Sequence, residues 1–394
     1  MSSIVGSEIQ GRTEPAFDAV RKTFEGQFAA GKHLGAGVAV YHRGRKVVDL
    51  WGGVADEASG RRWEEDTMAV CYSTTKGLTA TCVHMLADRG KLKYDDPVAK
   101  HWPGFAAHGK EKITVYHILT HQAGIPQIPD GTTMDDVLDW EKMVHGMEGV
   151  EPLWEPGTDS GYHAMTFGYL AGEIVRRVDG RSVGQFLREE VCEPLGLQHT
   201  HIGAPESAEP LISTLRAAQL TPEMEAQRVM FASGDSIQAR AFRIEGGGDL
   251  NATLNTRAGH AAQIPAANGV MTARDLARLY ACLGNGGELD GVRLMSAETV
   301  RRASDQQTCR PDRVIMIPVG WALGYMTGGI EGWPQGPRTT AFGHAGLGGS
   351  IGFADPEIQM SFGFVPNQLA MDLIGYGRTA ELAASARQCA EALE

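Results

Sequence analysis

The chain has 394 residues, long enough for one large domain or two ordinary ones with an apolar core that needs no staples. Its 36 basic and 48 acidic residues give a formal charge of −12, which argues against nucleic-acid binding and against adhesion to an anionic membrane. No run reaches about 18 consecutive apolar residues and the start lacks a basic, then apolar, leader, so no membrane span and no export signal are expected, and six cysteines without a CxxC pair suit reduced thiols in a cytoplasm.

Residues 14–30 read as an amphipathic helix, with Phe17, Val20, Phe24 and Phe28 on one stripe and Arg21 and Lys22 off it. Strand-like runs follow at Gly35–His42 and Lys46–Trp51, and the polar Arg43-Gly44-Arg45 between them suits a hairpin. Residues 74–89 read as a helix stopped by Gly90. From about 91 to 290 helical patterns alternate with Pro and Gly loops, with helices expected at 114–121, 163–178, 183–191 and 273–284; the stretch 204–260 is irregular. Strand character returns at Val319–Tyr325, Ser350–Ala354 and Met360–Val365, and a last helix is expected at 378–393. Strands at both ends with helices between predict an α+β architecture. Its antiparallel sheet, flanked by helices, would come from 1–80 and 290–394, with a mostly helical region, 81–289, inserted between.

Three stretches carry chemistry. Ser73-Thr74-Thr75-Lys76 follows the apolar Met68–Tyr72 and opens a helix. Residues three apart share a helix face, so the lysine amine stands beside the serine hydroxyl. A hydroxyl is a poor nucleophile until a neighbouring base takes its proton, and a helix N-terminus adds N–H groups suited to an oxyanion. This tetrapeptide alone is expected about once by chance in a chain of this length. The serine can equally be an N-cap and the lysine a solvated helix residue. Tyr162 sits where the Pro156/Gly157 loop meets a helix; nearby ammonium groups would lower its pKa and fit it as a base, while a buried, hydrogen-bonded tyrosine is the plain alternative. His344-Ala345-Gly346 lies in a glycine-rich run where backbone can approach a ligand, with Leu347 N–H a candidate oxyanion donor and His344 a pocket-lining side chain. An ordinary glycine-rich turn is the alternative there.

Gly348-Gly349-Ser350-Ile351-Gly352 matches G-x-S-x-G, the nucleophile elbow of α/β hydrolases. That motif needs a helix after the serine and a histidine downstream. The residues after Ser350 read as a strand, and His344 is the last histidine. His117 and His121 have the i, i+4 spacing of metal ligands, but no third ligand accompanies them and a structural role is expected. His199 and His201 have no evident partner.

Taken together, Ser73-x-x-Lys76, Tyr162 and His344-x-Gly346, in that order, resemble the serine β-lactamase and penicillin-binding superfamily. The resemblance is nearest to its esterase branch, the family VIII carboxylesterases. Trp51-Gly52-Gly53, Leu119-Thr120-His121-Gln122-Ala123-Gly124 and Pro265-Ala266-Ala267-Asn268-Gly269 extend it to about residues 15–390. It implies a β-lactamase-like fold with the active site where the sheet and helical parts meet. Ser73 would be the nucleophile, Lys76 and Tyr162 would share the proton work, and the N–H groups of Ser73 and Leu347 would form the oxyanion hole beside His344 and Gly346. Trp154, Tyr116 and Trp321 would line an acyl pocket or pack in the core. Two departures turn the expectation from lactams to esters. The asparagine that follows the tyrosine at +2 in lactamases is Ala164, and the lysine of K-T-G is His344. The expected activity is hydrolysis of small carboxylic esters through an acyl-enzyme, with no metal or organic cofactor. An acyltransferase, a β-lactamase or DD-peptidase activity, and a non-catalytic sensor are the alternatives.

Overall fold

Period-two alternation in the first hairpin sets the architecture. In the strand Gly35–His42, Val38 and Val40 enter one apolar cluster while Ala39 and Tyr41 enter another, so both faces are covered. The structure is a computed structural model describing residues 8–394 apart from 219, 224–225, 227–228, 230–233 and 371–376. Gly35–His42 pairs with Arg45–Asp56 through a two-residue turn in which Arg43 and Gly44 both have positive φ, the backbone that a tight hairpin requires. Among the described residues the main sheet is antiparallel and has 10 strands. Its order is Gln10–Thr13, Arg45–Asp56, Gly35–His42, Met360–Pro366, Ile351–Asp355, Phe342–Ala345, Met326–Thr327, Pro318–Trp321 and Thr308–Pro311, with Arg61–Arg62 pairing off Arg45–Asp56. Stretches from before and after the helical region therefore build one sheet, and the seam between them joins His42 to Met360 and Ala36 to Pro366.

One face is covered by the helices Asp18–Ala29 and Arg378–Glu391. The expected stripe of Phe17, Val20, Phe24 and Phe28 meets Leu382, Ala383 and Ala386 over Val38, Phe353, Phe362 and Phe364. The other face receives the helix Ala273–Gly284, which lies within 81–289 in sequence but rests on the sheet. Small residues permit its close approach. Ser361 Oγ donates to Ala277 O at 2.7 Å, and a Cβ on Gly363 would sit 2.4 Å from Ala273 O. Gly363 pairs with Gly352, and Gly352 pairs with His344, so His344 is the next residue in the row that this helix covers.

The helix Thr75–Asp88 is buried at every position from Thr75 to Leu86 and packs on Thr166–Asp179. Its buried polar side chains, Lys76, Thr79, Thr81 and His84, each find a hydrogen-bond partner there, which is what burial of polar groups requires. Several elements differ from the sequence reading. The expected strand Val319–Tyr325 divides into Pro318–Trp321 and Met326–Thr327, because Gly324 turns the chain at φ 77°. The helix expected at 183–191 runs Val183–Leu187 and then widens into a π-type turn, Arg188–Cys192, before Pro194, which has no N–H to donate. A small second sheet of Ala69–Val70, Val270–Met271 and Thr200–His201 sits beneath the serine turn. The irregular stretch contains the short helices Ile237–Phe242, Leu250–Thr253 and Arg257–Ala261.

Gly363→Val places branched carbon against the backbone of the covering helix. It is expected to lower unfolding free energy by about 1–3 kcal/mol, read from the shift in a urea denaturation midpoint.

Candidate active site

Ser73 occupies a 3-10 turn, Tyr72–Thr74, between the strand Ala69–Val70 and the helix Thr75–Asp88. Tyr72 has φ 44°, a left-handed backbone that costs a non-glycine residue on the order of 1–3 kcal/mol. Neighbouring groups hold it there. The Tyr72 hydroxyl donates to Asn251 Oδ1, and Cys71 N–H donates to Gly269 O at 2.8 Å. Ser350 Oγ donates to Cys71 O at 2.7 Å and lies 3.0 Å from Thr74 Oγ1. Gly346 presses on the same turn, for a Cβ there would fall 2.2 Å from Cys71 O. Ser73 is partly exposed while the residues on either side are buried.

Lys76 lies one turn along the helix and is fully buried. Its Nζ is 3.0 Å from Ser73 Oγ and donates to Ala164 O at 2.7 Å and Ala266 O at 2.9 Å. Burial pushes its pKa well below the ordinary lysine value. A neutral amine has two N–H groups for the two carbonyls and one lone pair, which faces the serine hydroxyl. The loop bearing Ala266 is itself fixed. Thr79 Oγ1 donates to Pro265 O at 2.7 Å, Gly269 N–H to Thr75 Oγ1 at 2.9 Å, and the Asn268 amide bridges Ile264 N–H, Gly259 O and Ala262 O.

Tyr162 is brought to the same point. Its ring centroid is 4.8 Å from Lys76 Nζ, and Ser73 lies near enough to influence its hydroxyl. The sequence reading expected ammonium groups to lower its pKa; the structure reverses this. Burial raises the phenol above its usual range, against the lowering influence of Ser73. The amine that was to act on it is driven toward neutrality by the same dry surroundings. The ring stacks on Trp321 at 5.6 Å and 10°, and His121 lies 5.1 Å away. Its N–H donates to Asp312 Oδ1 at 2.9 Å.

His344, on the strand Phe342–Ala345, is fully buried with its ring 6.3 Å from that of Tyr162. Its Nδ1 lies 2.7 Å from Ala345 O, which fixes the proton there and leaves Nε2 a lone-pair acceptor with no partner among the described residues. Burial, then Lys76, pushes its pKa down to about 3, so it is uncharged at neutral pH. Leu347 follows Gly346 with a 44% exposed side chain. Among the described residues, neither its N–H nor that of Ser73 donates to a backbone carbonyl.

The remaining sequence candidates are structural. Ser350 is buried and precedes a strand, Ile351–Asp355. His117 accepts from Thr114 N–H at 3.3 Å in a helix cap, and His121 accepts from His163 N–H at 3.1 Å. No group of three or more His, Cys, Asp or Glu suited to a metal occurs among the described residues, and no helix there is long and apolar enough to cross a membrane. Trp321 is fully buried, Trp154 nearly so with its indole N–H on Asp159 O, and Tyr116 packs at the edge of the core. All six cysteines are free. The carbonyls of Ala164 and Ala266, and the carboxylate of Asp312, were not foreseen. Backbone acceptors leave no mark in side-chain identity, and Pro311-Asp312 reads as an ordinary turn.

The Beta-lactamase family profile matches residues 20–384. Esterase/beta-lactamase LipL of Mycobacterium tuberculosis is 38% identical over 377 residues, covering 94% of this chain and 85% of that protein. The crystal structure of a family VIII carboxylesterase matches with a TM-score of 0.88 at 37% identity, covering 97% of this chain and 100% of the other. A penicillin-binding protein homologue from Caulobacter crescentus matches with the same TM-score at 38% identity over 97% of this chain and 100% of its own. Matched through sheet and helices alike, the chain belongs to the beta-lactamase family.

Proposed function

We propose that this protein is a carboxylesterase that cleaves small, uncharged esters through an acyl-enzyme on Ser73. The observation that carries the reading is the distance of 3.0 Å between Ser73 Oγ and a buried Lys76 amine beside Tyr162. Relatives named as esterases support it. In the resting site burial favours the neutral form of Lys76. As Ser73 Oγ attacks the ester carbonyl, its proton passes to Lys76 Nζ. The carbonyl oxygen becomes an oxyanion facing the N–H groups of Ser73 and Leu347, donors that need no reorganisation as charge develops. Lys76, now an ammonium held by two carbonyls, returns the proton through the Tyr162 hydroxyl to the departing alcohol. Water then enters by the same route and releases the acid.

The choice of esters follows from charge. The imidazole of His344 is neutral, so it offers a substrate carboxylate no cation, and Ala164 has no amide to bind a lactam side chain. β-Lactams are expected to turn over more slowly than short-chain nitrophenyl esters. Six free thiols support a reducing, cytoplasmic setting.

Ser73→Ala, Lys76→Ala and Tyr162→Phe are each expected to lower kcat/KM for a short-chain nitrophenyl ester by at least about a thousandfold, the scale on which triad-type residues act. Intact mass after reaction with a fluorophosphonate is expected to place one adduct on Ser73. Full activity in Ser73→Ala with loss in Ser350→Ala would sink the assignment.

The pH profile has a worked sign. Lys76 must be neutral and its pKa is lowered, so kcat/KM rises as pH climbs through that lowered value. Tyr162 must keep its proton and its pKa is raised, so activity falls only above the ordinary phenol value of 10.0. A flat plateau across neutral pH is expected in a stopped-flow profile with a neutral ester. Tyr162→Phe should abolish the alkaline limb of whatever activity remains.

A further inference from the structure

The residues 155–165 that carry Tyr162 form no helix or strand, for the next helix begins at Thr166. The hydroxyl of Tyr162 is therefore placed by tertiary bonds alone. On one side Gly161 N–H donates to His121 O at 3.0 Å. On the other, Arg313 N–H donates to Ser160 O at 3.0 Å, and Tyr162 N–H reaches Asp312 Oδ1 at 2.9 Å. Asp312 is 1% exposed, and the same Oδ1 accepts Val314 N–H at 2.8 Å and Ile315 N–H at 3.0 Å. Asp312 follows the edge strand Thr308–Pro311 of the main sheet, while Trp321, which stacks on the Tyr162 ring, closes the adjoining strand Pro318–Trp321.

We infer that Asp312 is a positioning residue for the reaction: one buried carboxylate oxygen ties the Tyr162 backbone to the sheet edge, and Trp321 from the same hairpin fixes the plane of the ring. The inference rests on the role proposed for Tyr162. The three N–H donors, at 2.8–3.0 Å from one oxygen, oppose the rise in pKa that burial imposes on Asp312, and while the group is ionised their bonds are stronger than those to a neutral acceptor. A displacement near 1 Å at a catalytic group costs about a hundredfold in rate. That is the expected price of losing this tie.

Asp312→Ser and Asp312→Asn separate the tie to Tyr162 from the turn that Asp312 makes with its own loop. Serine is one bond shorter; it keeps a serine turn with Val314 or Ile315 and loses the reach to Tyr162. Asparagine keeps an acceptor oxygen at full length. The readout is the second-order rate of Ser73 labelling by a fluorophosphonate, followed by intact mass, with thermal melting of every variant. Asp312→Ser is expected to label about a hundredfold more slowly and Asp312→Asn within about tenfold of the original protein. In a Tyr162→Phe background, Asp312→Ser is expected to add less than about threefold, since residues acting through one another are not additive. Three results overturn the inference: Asp312→Ser labelling within threefold of the original, an equal penalty with and without Tyr162, or a cooperatively melting Asp312→Asn that labels a hundredfold slower. If Asp312→Ser does not melt cooperatively, that last comparison decides. If Tyr162→Phe itself labels at the original rate, the role proposed for Tyr162 fails instead.

Discussion

Everything at the site depends on keeping one lysine amine dry. An ammonium taken from water into an interior without a counter-ion costs several kcal/mol, and the group sheds its proton instead. Lys76 meets two carbonyls and a hydroxyl there. Those three partners come from three distant stretches of chain, so each stretch must be fixed. The loop 264–269 is fixed by Asn268 and by hydroxyls of the lysine's own helix. The tyrosine loop is fixed by the sheet edge, and the serine turn by Ser350 and Asn251. The same exclusion of water lowers Lys76, raises Tyr162 and lowers His344, so a single cause pushes all three groups toward their uncharged forms.

The two parts of the fold contribute different things. The helix Thr75–Asp88, buried along nearly its whole length, and the loop before Thr166 carry Lys76 and Tyr162, the groups proposed to move protons. The sheet supplies rigid backbone: the row Gly363, Gly352, His344 brings the strand Phe342–Ala345 to the serine turn, and Gly346 permits contact with Cys71 O. Ser350 belongs to this backbone function. A serine in a G-x-S-x-G sequence here holds a strained turn in place for the serine that is proposed to react.

What could be read from sequence follows the physics of each signal. The stripe of Phe17, Val20, Phe24 and Phe28, the strand-like run Gly35–His42, and the helix stopped before Gly90 all carry a pattern or a stop that packing then uses. Short elements such as Leu250–Thr253 and Thr308–Pro311 are too brief to show a period. Ser73, Lys76, Tyr162 and His344 converge as their order suggested, although the S-x-x-K pattern alone is common. The protonation state of Tyr162 was read the wrong way, because sequence records which charges are near but not how dry the space between them is. The contributions of Ala164, Ala266 and Asp312 rest on backbone direction and distance, which no residue letter encodes.

The seam between Gly35–His42 and Met360–Pro366 also bears on how the chain is made. On a ribosome the amino-terminal hairpin emerges first, and its partner strand follows only after some 300 further residues, a wait of roughly 15–60 s at about 5–20 residues per second. Throughout that interval the nascent hairpin presents the unpaired edge of the mostly apolar strand Gly35–His42, and an open strand edge is prone to pair with a wrong neighbour. Pairing strands this far apart in sequence makes the hairpin a segment that needs shielding during synthesis. The serine turn likewise stays incomplete on the growing chain until the strand Phe342–Ala345 brings Gly346 against Cys71 O.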